Sequence, residues 1–298
     1  MPLLSIIIPT HKRPEILRQC LEHIERQTIA DQLEVIVVGD GHDPHIPEFT
    51  SHVPVHFYTL AKSHQGVARN EGVKHAKGDY CLFIGDDIFL EPDACEKHLE
   101  AHHRVMVIST NHDTMAVLGF TTWDPAVGIT PVMRWLEKTG WQFGYGKIAR
   151  YAHNFIPENI QHRFTYTSHL SLPTNIAREH AFRDDVSHYG WEDIEWGLRL
   201  RQAGVRVYYE PAAKALHHHR ITLEHSLRRM EVIGKSLASI SLKNPEFDRM
   251  PHGWKWWAYC AVSVLPTLRG KHCQAFVRGI THKSSLHGTK WSSSPPSP

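Results

Sequence analysis

Two pairs of adjacent carboxylates are the residues of this sequence best suited to chemistry. In the first pair, Asp86 and Asp87 directly follow an apolar run, residues 80–84, that has the character of a buried strand. Neighbouring carboxylates repel each other unless a cation lies beside them, and their oxygen atoms suit Mg²⁺ or Mn²⁺. We therefore expect a divalent metal beside Asp86 and Asp87, with a solvated acidic turn as the alternative.

The second pair, Glu192 and Asp193, follows Gly190-Trp191 at the start of a predicted helix. Acidic residues in a first helical turn are stabilised by the helix macrodipole, so a capping role without chemistry is one interpretation. The other interpretation is general-base catalysis, in which a positioned carboxylate takes the proton of an attacking hydroxyl.

Histidine is frequent, with 25 residues, but the run His217-His218-His219 stands out because it lies near the end of the predicted core. Imidazole joins carboxylates around Mn²⁺. The run could therefore supply a metal ligand, and His217 and His219 are both candidates because alternate strand residues share a face. Histidines in polar surroundings, such as His102 and His103, are expected at the surface.

The elements that must position these residues alternate between strand and helix signals. Apolar runs predict strands at residues 3–8, 35–38, 55–58, 80–84, 105–109 and 205–209, and helical spacing predicts helices that begin at residues 14, 66, 192 and 224. This alternation predicts an α/β fold, a mostly parallel sheet with helices on both faces. Ligands of such sheets collect at the carboxyl ends of the strands, where Thr10, Asp40 and Asp86 are expected. Residues 120–170 show weak periodicity and are predicted to form loops and short elements around the site.

Composition excludes several classes of protein. With 33 Lys+Arg against 31 Asp+Glu the net charge is only +2, which argues against general nucleic-acid binding, and a 41% apolar fraction argues against disorder. No apolar run approaches the roughly 20 residues that cross a bilayer. The five cysteines form no CxxC motif, and the apolar start of the chain has no signal-peptide pattern, so we expect a reducing, cytoplasmic location.

Four segments in order resemble the inverting family 2 glycosyltransferases of the GT-A fold: SIIIPTHKRPEIL, EVIVVGDGHD, GVARNEGVKHAKGDYCLFIGDD and GWEDIEWGLRLRQAG. The resemblance covers residues 3–220. It implies a catalytic domain over residues 1–223, which leaves a C-terminal helical extension over 224–291 and a disordered Ser/Pro tail over 292–298. It also implies a nucleotide-sugar donor, with UDP as the first choice of nucleotide, and a hydroxyl acceptor that is a glycan, a lipid-linked sugar or a small molecule.

The resemblance assigns a group of residues to the donor site: Pro9, Thr10, Arg13, Asp40, Arg69, Asp86, Asn175 and Trp191. Asp40 would accept a hydrogen bond from the nucleobase, and Arg13 would add positive charge near the diphosphate. Asp86 would contact the ribose or a metal-bound water. Core packing is the alternative for Trp191, and surface pairing with Glu71 is the alternative for Arg69.

The same resemblance implies that Asp193 is the general base and that Glu192 binds or orients the acceptor. Asp87 and His217 would hold Mn²⁺ or Mg²⁺. Gly39 stands where the family often has a further Asp, which leaves open a domain that binds a nucleotide sugar or a glycan without turnover. A nucleotidyltransferase would need a glycine-rich first loop, which the sequence lacks.

The C-terminal segment combines aromatic and basic residues around a short apolar stretch. Trp254, Trp256 and Trp257 flank Lys255, and further basic residues follow. Such a helix can lie in a membrane interface, which would suit a lipid-linked acceptor at the inner face of the membrane. The alternative is a helix that packs back on the catalytic domain.

Overall fold

The computed structural model describes residues 2–41, 49–108, 115–185, 190–243, 247 and 249–281. A nine-stranded sheet forms its centre. The strands are β1 (Leu4–Thr10), β2 (Leu33–Asp40), β3 (Val55–Leu60), β4 (Tyr80–Ile84), β5 (Ile88–Leu90), β6 (Met115–Trp123), β7 (Asn154–Phe155), β8 (His169–Pro173) and β9 (Arg206–His217). The helices are α1 (Pro14–Glu25), α2 (Gln65–His75), α3 (Ala94–Ile108), α4 (Pro131–Thr139), α5 (Glu158–Gln161), α6 (Thr174–Glu179), α7 (Glu192–Gln202), α8 (Leu223–Lys243), α9 (Trp254–Ser263) and α10 (Leu268–Thr281).

The strand order is β3-β2-β1-β4-β8-β6-β9-β5, with β7 beside β9. The first half, from β3 to β4, is parallel, as the sequence predicts. The second half is mixed, because β8 runs antiparallel to both of its neighbours and β5 and β7 run antiparallel to β9. The predicted α/β fold class is confirmed.

Both faces of the parallel half are covered by helices, which explains its uninterrupted apolar strands. Every residue of β1 and β2 is buried. Successive residues point to opposite faces, so Ile7 and Ile36 pack in one core with α2 and α7, and Ile6 and Ile8 pack in the other with α1 and α3. β1 and β2 therefore have no solvent-facing side, whereas the edge strand β3 is partly exposed.

The strand predicted at residues 105–109 is wrong for the residues that the structure describes, because 105–108 form the end of α3. His98, His102 and Val105 recur at helical spacing and are buried against the sheet. His102 is therefore not a surface residue, and its Nε2 lies 2.9 Å from Ser171 Oγ on β8. The β-branched end of the helix gave the strand signal, and packing of the whole helix overrides it.

Residues 120–170 form short elements, several of which contact the site as predicted, but the segment also contributes to the main core. They contain the end of β6, helices α4 and α5, strand β7 and short 3-10 turns. Met133, Ile148, Ile156 and Phe164 from this segment are buried in the cluster that also holds residues of β1 and β2. Their irregular periodicity reflects short elements that each contribute only a few side chains.

A bulge in β9 sets the register of its second half. Gly119 of β6 pairs with Glu210, but the next residue, Phe120, pairs with Lys214, so residues 211–213 loop out of the ladder. Glu210 is 1% exposed and its Oε1 accepts a hydrogen bond from the backbone N–H of Ala212 at 3.1 Å. The same carboxylate pairs with Arg104 and His153, which anchors the bulge.

The C-terminal helices α8 and α10 pack on each other through glycines. A Cβ at Gly234 of α8 would overlap the backbone O of Phe276, and a Cβ at Gly279 of α10 would overlap the backbone O of Glu231. α8 begins at Leu223, beside the domain boundary predicted between residues 223 and 224. The division into two domains stays a prediction. Residues 292–298 lie outside the described residues. Across the described ranges, every helix is too short or too polar to cross a bilayer.

Gly197 controls how closely α7 approaches the segment before β8. A Cβ there would overlap the Oγ1 of Thr165, so we expect Gly197→Ala to lower stability by about 1–3 kcal/mol, the usual cost of overpacking. Thermal unfolding measures the effect. Gly146→Ala is the matched control because a Cβ at Gly146 has no atom within 4 Å. Equal melting temperatures for both variants would contradict this packing.

The buried histidines make stability fall in acid. Burial lowers the pKa of His102 and of His169 to about 3 and holds that of His98 well below its usual value. The folded state then binds fewer protons than the unfolded state, so the free energy of unfolding decreases as pH falls from about 6.5 toward 3. Each such group contributes a slope of up to about 1.4 kcal/mol per pH unit.

His102→Gln should reduce this slope, as measured by urea unfolding at a series of pH values. His103→Gln is the matched control, because the neighbouring His103 is exposed and its loss should leave the slope unchanged. The burial argument fails if both variants keep the slope of the wild type.

Candidate functional site

The site residues that were predicted at the ends of strands lie together at one edge of the sheet. Thr10, Asp40 and His217 end β1, β2 and β9, and Asp86 follows β4 closely. β1, β2 and β4 are parallel neighbours, so their carboxyl ends meet. β9 reaches the same edge, because it runs parallel to β6 and β8 lies antiparallel to both β6 and β4.

The second carboxylate pair reaches this edge through β8. Ile84, the last residue of β4, pairs with His169, the first residue of β8, so the residues before 169 lie beside the carboxyl end of β4. The hydroxyl of Thr167 there donates to Asp193 Oδ1, and the hydroxyl of Thr165 donates to the backbone O of Asp193 at 2.7 Å. The start of α7 is thereby attached to the edge that carries the first pair.

Asp86 is fully buried and has a partner at each oxygen. Thr10 Oγ1 donates to Oδ2 at 2.7 Å, and Arg13 Nη2 donates to Oδ1. Burial raises the pKa of Asp86, although Arg13 and Thr10 oppose the shift. Arg13 also donates through Nη1 to Asp87 Oδ2 at 2.9 Å. The guanidinium expected beside a diphosphate thus lies between the two carboxylates, where it offsets their repulsion.

Asp87, His217 and His219 form a group that can hold a metal. Each offers one ligand atom, and these atoms lie within 4.8 Å of one another. His217 Nε2 is 3.5 Å and His219 Nδ1 is 3.6 Å from Asp87 Oδ2. The structure therefore brings both alternative histidines to the same carboxylate, one directly at the end of β9 and the other two residues later.

The ionisation of this group suits a metal site. Burial would raise the pKa of Asp87, but His217, Arg13 and His219 together hold it well below the usual range. Burial lowers the pKa of His219 to about 4, so its ring is neutral near pH 7 and has a lone pair to offer. A carboxylate with two imidazoles fits Mn²⁺, and Mg²⁺ would use the same carboxylate oxygens.

Sequence reasoning missed the residues that hold this group in place. His218 Nδ1 lies 2.6 Å from Asp124 Oδ2, and its backbone N–H donates to the backbone O of Asp87 at 2.8 Å. Its ring stacks on Phe89 at 4.7 Å. An Asp directly after the apolar run of β6 was the available signal. His218 fixes the end of β9 so that its two neighbours in sequence both face Asp87.

Asp40 is buried at the end of β2 and is held by the segment after β3. Its Oδ1 accepts hydrogen bonds from the backbone N–H of Ser63 at 2.6 Å and from Ser63 Oγ at 3.1 Å. Lys62 Nζ lies 3.5 Å from Oδ2. Neither neighbour was singled out in the sequence. Pro9 precedes Thr10 within β1 and pairs with Val38 of β2. It is therefore a residue of the strand and not of the loop that follows it.

Arg69 of α2 faces the second carboxylate pair. It is 3% exposed, and within the described part of the chain its Nε and Nη1 have no hydrogen-bond partner. Burial lowers its pKa, and the negative charges of Asp193 and Glu192 oppose that shift. Arg69 is therefore not a surface residue paired with Glu71, whose carboxylate bonds to Lys74 instead.

Glu192 and Asp193 are partly buried carboxylates in the first turn of α7. Glu192 Oε2 is buried without a hydrogen-bond partner among the described residues. Burial raises the pKa of both groups, and the charge of Asp193 raises that of Glu192 further. A carboxylate with a raised pKa is a stronger proton acceptor than one in water.

Trp191 and Asn175 lie away from the expected donor pocket. The indole of Trp191 donates to the backbone O of Ile233 at 2.9 Å and packs in the cluster of α8 and α10, so its core-packing alternative is correct. Asn175 is exposed near the start of α6, directly after β8. Because β8 is antiparallel to β4, that point is beside Tyr80, at the opposite edge of the sheet. The structure therefore does not bring Asn175 to the edge that holds the other predicted site residues.

The chain is similar in sequence to known glycosyltransferases. The family model described as "Glycosyl transferase family 2" matches residues 5–161. The putative glycosyltransferase EpsH of Bacillus subtilis (strain 168) is 33% identical over 103 residues, which cover 33% of this chain and 30% of EpsH. Chondroitin synthase of Escherichia coli is 30% identical over 119 residues, which cover 38% of this chain and 17% of that protein. The matches thus span about a third or less of these relatives.

Solved structures share the fold at low sequence identity. The structure of TarS 1–349 from S. aureus in complex with UDP has a TM-score of 0.55 and 12% identity, and the match covers 94% of this chain and 90% of that one. Its complex with UDP-GlcNAc has a TM-score of 0.54 and 14% identity, over 80% of this chain and 66% of that one. The fold is therefore GT-A-like, and the family match over more than half of the sequence establishes that this chain belongs to glycosyl transferase family 2.

Proposed function

We propose that this chain transfers a sugar from a nucleoside-diphosphate sugar to a hydroxyl acceptor, with inversion at the anomeric carbon. The observation that carries the proposal is the contrast between two carboxylate pairs at one sheet edge. Asp86 and Asp87 are surrounded by cationic and imidazole groups. Glu192 and Asp193 are desolvated and have raised pKa values. The first pair suits a leaving diphosphate and the second suits proton abstraction.

UDP is the proposed nucleotide. Asp40 would accept a hydrogen bond from the imide N–H of uracil, and Ser63 and Lys62 hold its carboxylate at the strand end. Thr10 lies at the neighbouring strand end and orients Asp86, which we place near the ribose. The complexes of TarS with UDP and with UDP-GlcNAc support this choice of nucleotide.

Asp87, His217 and His219 are the residues that would hold Mn²⁺ or Mg²⁺. When bound, such an ion supplies positive charge that offsets the charge developing on the leaving diphosphate. Arg13 contributes a fixed positive charge beside the same carboxylates. His218 keeps the two imidazoles in place through Asp124.

Asp193 is the proposed general base. Its Oδ1 accepts the hydroxyl of Thr167, which leaves Oδ2 for the acceptor. As the acceptor oxygen forms its bond to the anomeric carbon, its proton passes to Asp193 and the bond to the diphosphate breaks with its electron pair on the diphosphate. Attack from the opposite face inverts the configuration. Arg69 faces both acids, which favours an ionised Asp193 beside Glu192.

The acceptor and the place in the cell are also proposals. Names of relatives such as chondroitin synthase favour a growing glycan in polysaccharide biosynthesis. The five cysteines are free, which suits a cytoplasmic location. A domain that only binds sugar would have no use for a desolvated base, so turnover separates the two hypotheses.

Asp87→Ala tests the donor site. Titration calorimetry with UDP should show that Mn²⁺ strengthens binding to the wild type. The variant should lose that gain, by about tenfold or more, as metal-site changes typically do. Asp31→Ala is the control because Asp31 is an exposed carboxylate at another place. A folded wild type that binds no UDP with or without Mn²⁺ would sink the proposal.

Asp193→Asn tests the base. The variant should lower the rate of UDP release from a UDP-sugar and acceptor by about 10²–10⁴-fold, with the dissociation constant of UDP unchanged. In the wild type, kcat/KM should fall as pH decreases through a pKa above the ordinary Asp value of 3.8, because the base must be ionised. Full activity of Asp193→Asn would assign the proton transfer to another group.

A further inference from the structure

Helix α9 carries an apolar face that points into solvent. No residue of α9 is buried. Trp254 is 76% exposed and Trp257 is 72% exposed, and beyond the helix end Val264 is 79% and Leu265 is 49% exposed. These are the large hydrophobic side chains that stand exposed among the described residues.

The exposed residues share one side of the helix. Positions 254, 257, 261 and 264 recur at helical spacing, and Ala261 between the aromatic and aliphatic residues is also exposed. The opposite side packs back, since the ring of Tyr259 lies 5.4 Å from that of Phe276 on α10. An ordinary surface helix turns its apolar side inward. Here the inward side is already packed and a second apolar side remains outside, which is typical of an interaction surface.

The surroundings of this face are basic. The sequence from 249 to 281 has no Asp or Glu. Lys255 is exposed beside the two tryptophans, and Arg269 and Lys271 are exposed at the start of α10. We name the surface formed by Trp254, Trp257, Val264 and Leu265 with these three basic residues the α9 face. Exposed aromatic side chains with exposed Lys and Arg residues in the same segment match a layer whose surface is anionic and whose interior is apolar.

We propose that the α9 face docks on an anionic membrane surface, with α9 lying in the plane of the interface. A ten-residue helix is too short to cross a bilayer, so the contact is peripheral. This inference goes beyond sugar transfer and does not depend on it. The tryptophans enter the boundary between headgroups and acyl chains, and the basic residues contact lipid phosphates.

The α9 face is connected to the proposed base by a short series of contacts. α9 packs on α10, and α10 crosses α8 at Gly234 and Gly279, where the helix backbones touch. Ile233, next to Gly234, accepts the hydrogen bond of Trp191, and Glu192 and Asp193 follow directly. A docked protein therefore holds its proposed acceptor side at a fixed position relative to the membrane, which suits an acceptor carried in the lipid layer.

Vesicle co-sedimentation tests the proposal on the full chain. We expect the wild type to bind vesicles of phosphatidylcholine mixed with phosphatidylglycerol, to bind phosphatidylcholine alone weakly, and to lose binding as salt is added. W254S/W257S should weaken partitioning by about tenfold or more, because two aromatic side chains no longer enter the interface. W254F/W257F is the matched control and should keep most of the binding.

The melting temperature and the UDP affinity are measured separately from vesicle binding. W254S/W257S should keep the melting temperature and the UDP affinity of the wild type, since neither tryptophan is buried or near the donor site. Equal vesicle binding by wild type and W254S/W257S would overturn the proposal. It is also overturned if sedimentation in the absence of lipid shows a dimer that W254S/W257S dissociates, because the face would then bind a second copy of the chain.

Discussion

The repulsion between Asp86 and Asp87 is the constraint on which the rest of the site depends. Two adjacent carboxylates at a buried strand end are tolerated only if positive charge or hydrogen-bond donors surround them. The chain meets this need from three directions: Arg13 before α1, Thr10 at the end of β1, and the histidines at the end of β9. Each of these elements is placed by the order of strands in the sheet. The electrostatics of one dipeptide thus explains why sequence positions so far apart must converge.

The second carboxylate pair follows a different principle. Glu192 and Asp193 have few compensating charges, and the main one is the buried guanidinium of Arg69. Thr165 and Thr167 supply directional hydrogen bonds rather than charge. One sheet edge therefore contains Asp87, which is kept ionised by its neighbours, and a second pair whose protonated forms are favoured by burial. Two groups with similar chemistry acquire different roles from their surroundings alone.

Much of this arrangement could be predicted from local patterns. The apolar run at residues 80–84 predicted the bounds of β4, and Pro14 marked the first residue of α1. The predictions that failed concern features that depend on long-range packing. The β-branched residues at the end of α3 resembled a strand, because the residues that share their helical spacing lie earlier in the chain. Asn175 was misplaced because sequence does not reveal that β8 runs against β4. The pairing of His218 with Asp124 joins two strands that no spacing rule relates.

The bulge in β9 has a consequence for how this chain can change in length. Residues 211–213 look like a place where an extra residue would be harmless, since they already stand out of the ladder. The orientation of each later residue of β9 depends on where the ladder resumes after residue 213, because the side chains of a strand alternate between its two faces. One inserted or deleted residue that the bulge does not absorb would exchange the orientation of His218 with that of its two neighbours. Asp87 would then face the ring that now bonds Asp124. Changes in chain length are therefore more easily accommodated elsewhere. The buried carboxylate of Glu210 holds the bulge in place and so helps to set the positions of the histidines that follow it.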